Sequence, residues 1–261
     1  MRAPDPIPAP LMKAEIVGRL AALNGYRRYL ELCTPTTGLF YADVHRSSFE
    51  VCHRLMYRCP DDFTDGMDIE YRSAGLDIAE CLERMRHGNL RYDIILVDPW
   101  HDYDTSLRDL REAFELIPTG GTLVVHDCLP PTEDSTNPHG IWDPIARGWA
   151  GLTHRAYLDF VLGRSDLTFY TIDADWGCGV IRKTGDATDH ADSSWKPRIQ
   201  IDDAERDSVI AGWKTIGGDH RVAYRFLREH SQALLNLITA EEFRLADRRD
   251  GSLRPVAARE S

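Results

Sequence analysis

Two short apolar runs separated by an amphipathic segment organise the centre of the chain. Ile94, Ile95, Leu96 and Val97 form the first run, and residues 122–125 the second. Unbroken apolar runs bounded by turn residues predict strands covered on both faces. Between them, residues 104–116 repeat apolar positions at helical spacing, and the turn Pro118-Thr-Gly-Gly121 follows. The pattern predicts a β-α-β unit of a parallel sheet. Its first strand ends in Asp98-Pro-Trp-His101 and its second in His126-Asp127. Acids and histidines therefore stand at the carboxyl ends of adjacent strands, the edge where open α/β sheets bind ligands.

The same reading extends along the chain. Met12, Ile16, Leu20 and Leu23 have helical spacing. Residues 29–32, 54–58 and 69–72 read as three strands, with a half-helix near Ser48 and a helix through Ile78, Cys81, Leu82 and Met85. Residues 147–162 read as largely helical. Residues 168–172 and 178–182 read as a strand pair around a turn at 173–177. After Lys183 a polar, turn-rich stretch (184–194) predicts a linker or surface loop. Helices at 202–213 and 222–238 and a frayed tail follow. Three segments result: an arm and helix (1–28), an α/β domain of about seven strands (29–183), and a linker with a helical extension (184–261). The apolar faces of the last two helices (Val209, Ile210, Trp213; Phe226, Leu227, Leu234, Leu235, Ile238) are too large to stay wet. They imply packing on the sheet domain or on a second subunit, hence an expected homodimer.

Composition removes several classes. A formal charge of −11 over 261 residues argues against a nucleic-acid partner. No apolar run approaches the roughly 18 residues of a membrane span, and the Pro-rich start, MRAPDPIPAPLMK, lacks the apolar core of a signal peptide. The six cysteines (33, 52, 59, 81, 128, 178) contain no CxxC pair, so reduced thiols in a cytoplasmic protein are expected rather than a zinc ribbon. Only Lys13, Lys183, Lys196 and Lys214 are lysines, a bias that carries no functional weight here.

The segment 92–131 resembles the class I S-adenosylmethionine (SAM)-dependent methyltransferases. Their fourth strand ends in an acid, and a helix and a Pro/Gly-Gly turn lead to the fifth. The later stretch FYTIDADWGCGVIRK is similar to the antiparallel strands six and seven that close the family's sheet. The resemblance spans residues 29–183 and implies a Rossmann-like class I methyltransferase fold. That fold is a mostly parallel sheet with a terminal antiparallel hairpin, here with C-terminal helices added. It further implies SAM at the ends of strands one to four, against Glu31, Gly38, Asp62 (or Asp61) and Asp77. One departure is plain: Cys33-Thr-Pro-Thr-Thr-Gly38 stands where the family carries a Gly-rich loop, which normally lets backbone approach the ligand closely. The one GxG, Gly177-Cys-Gly179, lies in the hairpin.

Within that family the strand ends resemble the metal-dependent sugar O-methyltransferases. Their Asp-x-x-His and adjacent acid pair hold a divalent cation and supply a base. Carried across, Asp98, His126 and Asp127 become metal ligands and His101 the general base. His126 replaces an acid, which suits softer ions such as Mn²⁺ better than Mg²⁺. Trp142, Trp149 and Tyr157 fall where the family builds its acceptor pocket, and Trp100, just before His101, is expected to stack on a sugar face or shield the cleft. The implied acceptor is a small molecule or oligosaccharide, for example a mannoside of an actinobacterial polysaccharide. Plainer readings stand beside each residue. Asp98 also fits a helix cap or a SAM-side acid without metal, His101 a helix-entry surface histidine, His126-Asp127 a structural hydrogen-bond couple, and the aromatic cluster half packing. Asp102 and Asp104 read as caps of the following helix. Three other functions fit the same residues: a metal-independent small-molecule O-methyltransferase, a metal-dependent hydrolase or oxygenase, and a non-catalytic binding module.

Overall fold

The structure, a computed structural model, describes residues 10–34, 44, 46–59, 62, 71–75, 78–185 and 201–245. Its strands are β1 (Arg28–Cys33), β2 (Val51–Met56), β3 (Tyr71–Arg72), β4 (Ile94–Val97), β5 (Thr122–Val125), β6 (Leu167–Asp173), β7 (Cys178–Lys183) and β8 (Leu237–Thr239). They form a single sheet in the order β3-β2-β1-β4-β5-β7-β6-β8. Among the described residues β7 alone runs against the others. This is the Rossmann-like architecture expected from the sequence, with eight strands in place of about seven. The order reverses between β1 and β4, which makes their carboxyl ends the switch point where such sheets open a crevice.

The helices are α1 (Lys13–Asn24), α2 (Ala79–His87), α3 (Tyr103–Leu116), α4 (Thr153–Val161), α5 (Asp203–Thr215), α6 (His220–Glu229), α7 (Ser231–Leu235) and α8 (Ala240–Leu245). One face of the sheet buries Leu30, Leu55, Ile95, Val97, Leu123 and Val125 against apolar residues of α2 to α7. The other face buries Tyr29, Ile94, Leu96, Val124 and Val180 against Ile16, Val17 and Leu20 of α1 and Phe243 of α8. The alternation along each strand thus sorts residues cleanly between two apolar layers. No helix among the described residues is long and apolar enough to cross a membrane.

Three expectations are corrected. Strand two begins at Val51 rather than Arg54, because its polar residues are accommodated inside: Arg54 is wholly buried and the His53 ring meets the Tyr92 hydroxyl at 2.7 Å. Residues 147–152 are loop, not the first turns of a helix. Gly151, at φ 52°, lies so close to His101 that a Cβ there would sit 2.1 Å from the His101 carbonyl oxygen. The helix expected at 222–238 breaks twice. Asn236 takes a left-handed conformation (φ 49°), donates to the Phe169 carbonyl at 2.8 Å, and turns Leu237–Thr239 into a strand parallel to β6. The half-helix near Ser48 is a 3-10 turn, Arg46–Ser48.

The apolar faces of the C-terminal helices are covered within the chain. Trp213, Leu227, Leu234 and Leu235 are buried in the larger core, Val209, Ile210 and Phe226 pack on it, and Ile238 joins the smaller one. The need that pointed to a second subunit is met intramolecularly.

Candidate active site

Asp98 and His126 continue the ladders of their strands. The Asp98 N–H donates to Leu32 O at 3.1 Å and the His126 N–H to Val97 O at 3.1 Å. Alternation from Ile94 and Leu96, and from Val124, puts both side chains on the α1 face. The next residue, Asp127, would face the opposite way in an extended strand. Its φ of 61° breaks the alternation, and Asp127 Oδ2 reaches 3.1 Å from His126 Nδ1. A left-handed non-glycine residue costs about 1–3 kcal/mol and persists where surroundings impose it, most often at functional sites.

His101 follows β4 by four residues, just before Asp102, which caps α3 by accepting from the Thr105 N–H at 2.9 Å. Its Nδ1 hydrogen-bonds the Trp149 carbonyl, which can only accept, so Nδ1 carries the proton. Leu152 N–H donates to the His101 carbonyl at 2.7 Å, and Gly151 packs against the same peptide. The loop 149–152 thus fixes both ends of the residue. Nε2 is left aimed at the two acids, 3.1 Å from Asp127 Oδ2 and 3.7 Å from Asp98 Oδ1.

Two residues that sequence reasoning passed over complete the cluster. Lys13, 2% exposed at the start of α1, places Nζ 2.5 Å from Asp98 Oδ2. Asp175, in the β6–β7 turn, accepts the Lys13 backbone N–H at 2.8 Å and approaches His126 Nε2 at 3.4 Å. It thereby supplies the cap that Met12 does not give α1. That turn is pinned by close backbone packing: Gly177 (φ 82°) accepts from Cys128 N–H at 2.9 Å, and a Cβ there would meet Leu129 N at 2.3 Å. Gly177-Cys-Gly179 is therefore a packing device; Gly179 lies under the Tyr157 ring.

Burial penalises charge on Asp98, His101, His126 and Lys13, and attraction to the opposite charges around them outweighs it. Burial alone would raise the Asp98 pKa, yet Lys13, His126 and His101 hold it well below the usual carboxylate range. Burial pulls the two imidazoles down, but Asp127 and Asp98 raise His101, and the same acids raise His126 further despite Lys13. Burial likewise lowers Lys13, and Asp98 more than restores it. Three carboxylates thus face one ammonium and two imidazoles.

Asp98 Oδ1, His101 Nε2 and Asp127 Oδ2 are buried and without a hydrogen-bond partner among the described residues. Asp98, His101 and Asp127 offer ligand atoms all within 4.8 Å of one another, a spacing that fits a single divalent cation. His126 adds Nδ1 at 3.5 Å from Asp98 Oδ1.

The other expected site residues scatter. Glu31 lies inside β1, wholly buried; it accepts from the Tyr29 hydroxyl at 2.9 Å and leaves Oε1 without a hydrogen-bond partner among the described residues. Burial, with Asp98 nearby, pushes its pKa up to about 8. Asp62 is exposed past β2; Gly38, Asp61 and Asp77 lie outside the described residues. Trp100 stands edge-on to Trp149 at 5.2 Å, with the Arg58 guanidinium 3.9 Å over its ring. Trp149 lies 5.2 Å from the His101 ring and donates Nε1–H to Asn137 O at 2.7 Å. Trp142 projects into solvent, 64% exposed, from the loop that ends at Trp149. Tyr157 is wholly buried against Phe169 and Gly179, so it packs the core and lines no open surface.

No family model matches the chain, and no curated protein does. Solved structures do. The O-methyltransferase TomG from Streptomyces achromogenes, involved in tomaymycin synthesis and bound to SAM, is 20% identical. The match covers 70% of this chain and 83% of that one at a TM-score of 0.49. An O-methyltransferase from Bacillus cereus, in complex with SAH, is 14% identical over 70% and 84% of the two chains, with a TM-score of 0.47. MycE methyltransferase from the mycinamycin pathway, in complex with Mg, SAH and mycinamycin VI, is 14% identical over 64% and 48%, with a TM-score of 0.42. Likenesses at these TM-scores fix no residue's role.

Proposed function

We propose that the chain is a SAM-dependent O-methyltransferase that methylates a hydroxyl of a carbohydrate or glycosylated small molecule with the help of a divalent cation. The observation that carries this reading is the convergence of Asp98 Oδ1, His101 Nε2 and Asp127 Oδ2, buried and without hydrogen-bond partners among the described residues, beside the β1/β4 switch point. When bound, the cation acidifies and orients the acceptor hydroxyl, and the SAM sulfonium supplies the methyl group.

The chain's own residues divide the remaining work. Asp98 and Asp127 hold the cation, with His126 Nδ1 as third donor. His101, held as its Nδ1–H form by the Trp149 carbonyl, takes the hydroxyl proton at Nε2. Trp100 and Trp149 offer ring faces beside His101 for the acceptor. On the cofactor side, Glu31 Oε1 is a buried oxygen without a hydrogen-bond partner among the described residues, and Asp62 is assigned to the ribose hydroxyls, with Gly38 and Asp77 completing the set. A second reading exchanges the histidines. The three-atom convergence that includes His101 Nε2 favours His101 as third ligand, with His126 as base.

Calorimetry with S-adenosylhomocysteine, then labelled-SAM transfer to a panel of glycans with EDTA and Mn²⁺ add-back, tests the proposal. Micromolar binding and metal-restored transfer are expected. Absence of nucleoside binding by folded protein removes the methyltransferase reading. Transfer that EDTA leaves intact removes only the metal.

A further inference from the structure

Lys13 has no part in the chemistry just described, yet it is the most deeply placed cation of the site. It starts α1, its backbone N–H is fixed by Asp175, and its ammonium rests on Asp98 Oδ2. The other Asp98 oxygen faces the imidazoles, at 3.5 Å from His126 Nδ1 and 3.7 Å from His101 Nε2. The two oxygens of one carboxylate thus face different groups, the ammonium on one side and the imidazoles on the other. The positive end of the α1 dipole lies in the same place and adds to the local potential.

We propose that Lys13 is a resident cation that occupies one oxygen of Asp98, confines a divalent ion to the other, and keeps that ion weakly held and exchangeable. The inference rests on the proposed cation at Asp98 and Asp127, whichever imidazole is the third donor. An ammonium on Oδ2 competes with an ion for that oxygen, which disfavours chelation through both. An ammonium within a few ångströms also repels any divalent charge that enters, and a buried position screens that repulsion poorly. Lys13 is a positioning residue: it orients Asp98 and compensates its charge, and it meets neither the hydroxyl nor the methyl group.

The test is calorimetric titration of Mn²⁺ into the full chain and its Lys13 variants, without SAM. Lys13→Met is expected to bind Mn²⁺ at least tenfold more tightly than the wild type. Lys13→Arg, which keeps the charge and can fork both carboxylate oxygens, is expected to bind no more tightly than the wild type. A loss of packing alone would not sort the variants by charge. Should circular dichroism show the Met variant unfolded, Lys13→Gln carries the same expectation. Equal or weaker Mn²⁺ binding by the neutral variant overturns the proposal and leaves the cation reading standing. Absence of Mn²⁺ binding in every protein overturns both, and S-adenosylhomocysteine binding by the same preparations then shows whether the methyltransferase reading survives.

Discussion

His101 gives its Nδ1 proton to the main-chain carbonyl of Trp149, so the orientation of one imidazole depends on a loop 48 residues further along. Gly151 sets how closely that loop approaches, because a side chain there would run into the His101 peptide. Gly151→Ala should therefore lower kcat more than tenfold while S-adenosylhomocysteine binding stays within about threefold, since misplacement by an ångström can cost about 100-fold in rate. Unchanged kcat would show that the loop is not what aims His101.

Asp98→Ala and Asp127→Asn should each abolish Mn²⁺ binding and metal-dependent turnover. The Asn variant is informative because it tolerates the left-handed backbone and removes only the charge. His101→Ala should lower the rate by about 10²–10⁴-fold, with partial recovery at high pH where the hydroxyl ionises unaided. Its Mn²⁺ affinity decides between the two readings: retention within about threefold makes His101 the base, and loss makes it a ligand.

The centre of this fold was open to sequence reading, because β4, α3 and β5 are formed by local patterns that their neighbours reinforce. Ile94 to Val97 are apolar, and burial on both faces demands it. What was missed depends on contacts between distant residues. Arg54 looks like the start of a strand's solvent-facing end, yet it is fully buried in the middle of β2. Leu234, Leu235 and Ile238 keep helical spacing, and only the Asn236 conformation converts the last of them to a strand. Lys13 sits in what reads as a loose arm; its partners are 85 and 162 residues away, and no local pattern announces them.

His154 is a pH-sensitive element outside the site. Burial holds its pKa down to about 4, against an ordinary value of 6.5. A depressed histidine contributes stability that is present above the unfolded value and is lost as pH falls through the window from 6.5 to about 4. The full contribution is on the order of 3 kcal/mol. Urea unfolding of His154→Gln should show a shallower loss between pH 6.5 and 4 than the wild type; parallel curves would refute the assignment.

Glu31 behaves in the opposite sense. Its pKa is raised to about 8 by burial, so stability is fully present below the ordinary value of 4.5 and declines as pH rises through about 8. Glu31→Gln, which can still accept from Tyr29, should match the wild type near pH 5 and exceed it near pH 9. If Glu31 also meets the cofactor, the same substitution weakens S-adenosylhomocysteine at least threefold, which calorimetry at pH 7 would read.

The three residues of β8 have a consequence beyond topology. Without them β6 would end the sheet with a row of unpaired main-chain groups, a template for strand addition between molecules. The pairing of Leu237 with Thr171 and of Ile238 with Ile172 covers the end of β6 and leaves a strand of three residues at the edge, short enough to offer little template. A chain shortened to the α/β core would expose that end of β6 together with the apolar surface that Trp213, Leu227, Leu234 and Leu235 now cover. The C-terminal segment thus shields the sheet edge as it completes the core.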